Sequence, residues 1–412
     1  MIVLRCAFAA ALVLLAACGE TTTPAPADAP APQTAIDPLA SPAGSGSSAP
    51  HLAAAADGTL LLSWIERGGN GTAAVRVARF DGARWNEPVT VVERDDLFVN
   101  WADFPSVYPI GNDSLAVHWL QKSGDASYAY DVKIVRSDDG GATWREPFSP
   151  HDDGTKTEHG FVSFADRNGT LEAVWLDGRN MTGGDHGGHG GGDMTLRWAR
   201  IGDEDTVEQD AVLDDRTCEC CQTTMTMTSA GPVVAYRDRS TEEVRDIAVV
   251  RWDGEGWTEP RVPHPDGWTI AGCPVNGPQL DARGERVALA WFAAPEGEAR
   301  VQVAFSNDAG ATWGAPVRVD GGAPIGRVDV VLLDDDRAAV TWLEGTGDGA
   351  EVRSRVVSAD GKAAEPLIVA TTSSARSAGF PRSAVTGGRV YYAWTDPGTP
   401  SRVRLASAPL TP

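Results

Sequence analysis

Basic residues are scarce in this chain: 35 lysines and arginines stand against 57 aspartates and glutamates, a formal charge of −22 over 412 residues. Phosphate binding needs a concentrated basic face, and none is found, so nucleic acid is excluded as a partner. The acidity reads as that of a soluble surface. Long apolar runs are lacking as well. The single one, within "MIVLRCAFAAALVLLAACGE", is too short to span a bilayer with ordinary flanks and follows one basic residue, the form of an export signal. Cysteine is sparse, with six in all, and Cys6 falls inside that signal.

The segment Leu15-Ala16-Ala17-Cys18 resembles the lipobox of bacterial lipoproteins. The resemblance implies cleavage before Cys18 and acylation of that cysteine, so that the membrane is met through the lipid alone. Gly19 in place of aspartate implies sorting to the outer membrane of the cell envelope, facing the periplasm or the cell surface. Residues 1–18 are thus the signal peptide. Residues 19–48, rich in Pro, Ala and Ser, cannot bury a core and form a linker, and residues 49–412 form the folded domain.

Tryptophan sets the architecture. Seven segments, among them "HLAAAADGTLLLSWIE", "QLDARGERVALAWFA" and "RSAVTGGRVYYAWTD", share a short strand, a Gly or Asp turn and an apolar strand ending in an aromatic residue. Those aromatics are Trp64, Trp119, Trp175, Tyr236, Trp291, Trp342 and Trp394, spaced by 51 to 61 residues. A multi-strand repeat of about fifty residues without an amphipathic helix signal predicts one all-β domain, a seven-bladed β-propeller. The last repeat shows three strands, and a segment near Ile36–Leu39 could supply its fourth. A six-bladed ring with an extra hairpin is the alternative.

The turns "SDDGGATW" (Ser137–Trp144) and "SNDAGATW" (Ser306–Trp313) match Ser-x-Asp-x-Gly-x-Thr-Trp. This resembles the Asp box of sialidase-like, BNR-repeat proteins. The resemblance implies a propeller whose boxes face away from the binding site, a glycan ligand and, if the protein is an enzyme, a glycoside hydrolase of exo-sialidase type. Six blades are usual in sialidases, so seven is a departure.

Antiparallel strands put the second-to-third loops and the connections between blades on one face. That face gathers "HDDGTKTEHG" with His159, "DGRNMTGGDHGGHGGGDM" with Arg179, His186 and His189, "RDRS" with Arg237 and Arg239, "CECCQ", and "GWTIAGCPVNGP" with Cys273. The resemblance implies a clamp of three arginines on a substrate carboxylate, for which Arg179, Arg237 and Arg239 are the candidates, with His159 beside them. Carboxylates recur two residues after the core aromatic. Asp177 and Asp238 are the candidate catalytic pair, and the competing reading gives such a recurrent acid a structural role.

Four thiols remain after export: Cys218, Cys220, Cys221 and Cys273. An oxidising compartment favours disulfides, either Cys218–Cys221 with Cys220–Cys273 or one bridge from Cys273 with two thiols free. The alternative is a copper or zinc site completed by His186 and His189, and a third is a redox-active pair. The expectation is an exported propeller that binds a glycan or an extracytoplasmic protein over blades three to five, without a cofactor unless the cysteines hold metal. A pure interaction scaffold is the remaining reading.

Overall fold

The computed structural model describes residues 36–111, 113–181 and 191–410. Seven antiparallel sheets of three or four strands follow one another along this stretch, giving the seven-bladed ring expected from the aromatic repeat. Blade one comprises strands from Ser47–Ala54 to Val89–Arg94, and blade three those from His159–Arg167 to Val207–Thr217. Blades two and four have three strands, with single bridges at Phe148 and Arg261 where a fourth would lie.

Burial explains the composition of each strand. Second strands such as Leu60–Arg67 and Thr170–Asp177 are covered by blades on both sides and read as nearly continuous apolar runs. Outer strands such as Val89–Arg94 face solvent and alternate only weakly. Six of the seven repeat aromatics are buried, and Trp394 is half-buried.

Ring closure is made by the segment Asp37–Leu39, which pairs antiparallel with Arg402–Pro409 and completes blade seven. The ring therefore takes in part of the stretch assigned to the linker. The closing strand also covers an edge that would otherwise be open to other chains.

Both Asp-box turns adopt one geometry. Asp139 Oδ1 accepts the Thr143 amide at 2.8 Å and Asp308 Oδ1 the Thr312 amide at 2.8 Å. The Ser137 and Ser306 hydroxyls accept the Gly141 and Gly310 amides at 2.8 and 2.9 Å. No helix among the described residues is long and apolar enough to cross a membrane.

Inner strands of neighbouring blades splay apart around the axis, which leaves backbone donors without ladder partners. Three of these strands carry a bulge with a left-handed, non-glycine residue: Ala49 (φ 54°), Phe161 (φ 55°) and Arg327 (φ 53°). In each case a side chain from a neighbouring blade or connection accepts that residue's amide. Thr395 Oγ1 takes Ala49 at 3.1 Å, Asp103 Oδ2 takes Phe161 at 2.6 Å, and Asn276 Oδ1 takes Arg327 at 2.6 Å. The strained backbone is thus held in place from outside its own strand.

Candidate functional site

The connections between blades meet over the axis and are laced together there. Gln222 Nε2, between blades three and four, donates to the Ala102 carbonyl at 2.6 Å, while its Oε1 accepts the Gly277 amide at 3.0 Å. A β-carbon on Gly277 would lie 2.1 Å from the Gln222 carbonyl oxygen, so this crossing requires glycine. Asn276 then holds Arg327, whose Nη1 donates to the carbonyls of Ala375 and Gly379 at 3.1 Å each. The Arg327 guanidinium lies 4.7 Å from the Trp101 ring centroid, which returns the circuit to its start beside Ala102. Against this floor the inner strands line an open central cavity of about 460 Å³.

Asp103, which lines this cavity, also belongs to a cluster of aromatic rings and carboxyls. Phe98 stacks on Tyr130 at 4.0 Å and meets Tyr128 edge-on at 5.6 Å. The Tyr130 hydroxyl donates to Glu158 Oε1 at 2.5 Å. Burial pushes the Glu158 carboxyl up to about 8, against the Tyr130 hydrogen bond and with help from Asp103, Cys273 and Glu219. Asp103 is pushed up to about 7 by burial, although it accepts the Phe161 amide. A β-carbon on residue 160 would come within 2.4 Å of Asp103 Oδ2, so Gly160 is what lets this carboxyl reach its donor. Exposed Arg376 lies 5.9 Å from the Trp101 ring and acts electrostatically on Tyr128, as do Glu158 and Cys273. Phe98, Trp101 and Tyr128 are all half-buried, so their rings are partly open to solvent.

The candidate arginine clamp is not assembled. Arg237 is buried and donates to the carbonyls of Asn276, Arg245 and Phe292 at 2.6 to 3.0 Å, with its guanidinium over Trp268. Arg179 makes a two-pronged pair with Asp177 at 2.7 Å and reaches Asp153 at 3.2 Å. Arg239 is held by Glu243 at 2.6 Å and faces Glu219 at 3.7 Å. His159 is fully buried, stacked on His151 at 4.0 Å, with Nδ1 3.2 Å from the Thr157 carbonyl oxygen and Nε2 3.2 Å from Asp153.

The recurrent acids have a plain geometric basis. Residues two apart on a strand share a face, so the carboxylate accepts the indole N–H of its own tryptophan. Trp64 donates to Glu66 at 3.2 Å, Trp175 to Asp177 at 2.8 Å and Trp342 to Glu344 at 2.5 Å. Asp177 is fully buried in this role. Asp238 follows a tyrosine whose hydroxyl bonds Asp214 instead, and burial beside Asp214 pushes Asp238 up to about 6.

All four cysteines are free thiols, and the disulfides expected between them are not formed. Cys218 Sγ lies 3.2 Å from Cys221 Sγ and 3.8 Å from Cys220 Sγ. A turn over 219–221 folds the three side chains to one side, which an extended chain with alternating side chains would prevent. Buried Arg245 donates to Cys218 Sγ at 3.2 Å and to Glu219 at 3.0 Å. Burial pushes the Cys218 thiol up, but the neighbouring thiols and Arg245 win and hold it well below the usual range. His186, His189 and Cys18 lie outside the described residues.

Asp103, Glu158, Trp101, Arg376 and Arg245 did not stand out in the sequence. Glu158 sits inside "HDDGTKTEHG", where the histidines drew attention, and the others lie in irregular segments without a motif. The available signal was their placement in connections that the blade topology sends to one face.

No family model matches the chain, and no curated protein matches it in sequence. Among solved structures it is similar to the polysaccharide lyase Uly1, at 11% identity over 88% of this chain and 90% of that one, with a TM-score of 0.53. It is also similar to the Hadza microbial sialidase Hz136 (14% identity, 82% and 73% covered, TM-score 0.48). A third similarity is to the Penicillium chrysogenum α-L-arabinanase (13% identity, 92% and 97% covered, TM-score 0.46). At these identities the likeness concerns the fold.

Proposed function

We propose that this is an exported, lipid-anchored propeller that binds a carboxylate-bearing glycan over the centre of its connection face. The observation that carries this reading is a pair of partly open aromatic surfaces, Phe98 and Tyr128 beside the Tyr130–Glu158 pair and Trp101 beside exposed Arg376, which acts electrostatically on Tyr128. Aromatic faces stack on sugar rings, a carboxyl that keeps its proton at neutral pH can donate to a hydroxyl, and a guanidinium suits a sugar carboxylate. A cavity of about 390 Å³ continues the cluster past Trp101, lined by Asn100, Ser377, Thr399 and Ser401. The fold shared with a polysaccharide lyase is in keeping with such a ligand.

Binding, not hydrolysis, is the reading. Tyr130 is fully buried and its hydroxyl is engaged by Glu158, so the pair offers no open nucleophile. Asp177 is engaged by Trp175 and Arg179.

An array of uronate- and sialate-bearing oligosaccharides, followed by calorimetry on a hit, tests the proposal. Trp101→Ala should weaken binding by roughly tenfold or more, as loss of a stacking platform does. Arg376→Ala should remove the preference for acidic over neutral sugars. Absence of any acidic-glycan binding, or full affinity in Trp101→Ala, would overturn it. The anchor is tested by labelling with radioactive palmitate: Cys18→Ser should abolish the label, and a label that persists would refute acylation there.

A further inference from the structure

The geometry points to a second site: Cys218, Cys220, Cys221 and Cys273 hold one thiophilic closed-shell metal ion, zinc(II) or copper(I), between two blade connections. Cys218, Cys220 and Cys221 have their sulfurs within 4.8 Å of one another. A disulfide needs its sulfurs about 2.05 Å apart, whereas an ion with bonds of about 2.3 Å to tetrahedral thiolates spaces them about 3.8 Å apart. The Cys218–Cys220 separation of 3.8 Å matches the second value, and the Cys218–Cys221 separation of 3.2 Å lies between the two, on the side of the second. Three sulfurs gathered this closely suit a shared ion, since a disulfide joins only two of them.

The surroundings of the sulfurs complete the case. Cys218 and Cys221 stand at the two ends of a Cys-x-x-Cys turn, and the Cys220 amide donates back to Cys218 Sγ. Backbone donors of this kind orient thiolates and spread their charge. Arg245, with its side chain fully buried, donates to the same sulfur and is itself fixed by Glu219 at 3.0 Å and Glu243 at 2.9 Å. Arg245 thus offers Cys218 Sγ a fixed, charged N–H donor, while its own charge and that of Arg239 are matched by Glu219 and Glu243.

Cys273 comes from the connection between blades four and five and stands outside the close trio of sulfurs, near enough for its thiol to interact with that of Cys220. It is exposed, whereas Cys218 and Cys221 are buried, so the fourth ligand lies on the solvent side where an ion would enter. Bound metal would therefore tie the blade-three connection to the blade-four connection beside the Gln222–Gly277 crossing. The soft, sulfur-only donor set selects thiophilic ions and disfavours magnesium or calcium. The site stands whether or not the rings above it take a glycan.

The full chain, purified reduced and without oxygen, is titrated separately with zinc(II) and copper(I) against competing chelators, and thiols are counted with Ellman's reagent at each step. One ion per chain and protection of four thiols is the expected result, with the ion that displaces the other identifying the metal. Cobalt(II) used as a probe should give an intense sulfur-to-metal absorption. Cys221→Ser should weaken binding by roughly 100-fold or more, and the exposed Cys273→Ser, which leaves the core untouched, by about tenfold with three thiols protected. Four thiols that remain reactive in the presence of each ion would overturn the site. So would disulfides whose reduction restores thiols but no metal binding.

Discussion

Asp103 shows how much a single carboxyl can carry at the centre of the ring. Burial holds its folded-state pKa up at about 7, above the value of about 4 expected in the unfolded chain. Between those values the folded protein keeps a proton that the unfolded chain has lost, so stability falls as pH rises from about 4 to about 7 and levels off above. One such group gives a slope of about 1.4 kcal/mol per pH unit. Asp103→Asn keeps an oxygen to accept the Phe161 amide and removes the titration. Urea denaturation at pH 5 and pH 7 should therefore show a flatter decline in the variant than in the parent protein, and equal slopes would refute the assignment. The arginines teach a different lesson at this scale. Arg237 lies on the expected face, yet its donors turn inward to three carbonyls from neighbouring segments. Residue type and loop position are legible in a sequence; whether a guanidinium faces solvent or spans two blades depends on contacts between distant segments. Tyr236 was legible as core because it stands in the tryptophan register, and it is buried.

Strands and connections divide the same way. The second strands were readable because burial on both faces writes itself as an apolar run ending in an aromatic residue, followed by an acid for the indole. The connections have no period, so nothing in "NWADFP" announces that Trp101 and Asp103 sit at the hub. What the structure adds is the bulge at the head of three inner strands and the side chain that caps each one. Asn276 is the most connected of these caps, accepting from Arg327 and donating to the carbonyls of Pro274 and Ile325 at 3.2 and 3.3 Å. Asn276→Ala leaves these buried groups unsatisfied and should cost about 2 kcal/mol or more of stability. A shift of the urea midpoint with an unchanged slope would match this expectation. An unchanged midpoint would mean that water replaces the cap without loss.

Over the whole molecule, the aromatic repeat fixed the blade count, and a segment near Ile36 closes the ring as its position suggested. Closure depends on very few residues. Removing residues 19–34 should leave thermal unfolding unaltered, whereas removing 19–42 deletes the Asp37–Leu39 strand and bares the edge of Arg402–Pro409. The longer truncation should melt several degrees lower and self-associate, which light scattering would register. Equal melting of the two truncations would show that the strand adds nothing to closure.

The stacking of Trp101 on Phe380, with centroids 5.9 Å apart, joins the connection after the first blade to the one before the last. Blades two to six lie between these two rings in the sequence, so the rings can meet only after all five have been made. The Trp101–Phe380 part of the hub is consequently absent from any chain that stops before Phe380. A ligand bound there would act as a certificate of progress: only molecules in which blades two to six have been made and brought round can carry it.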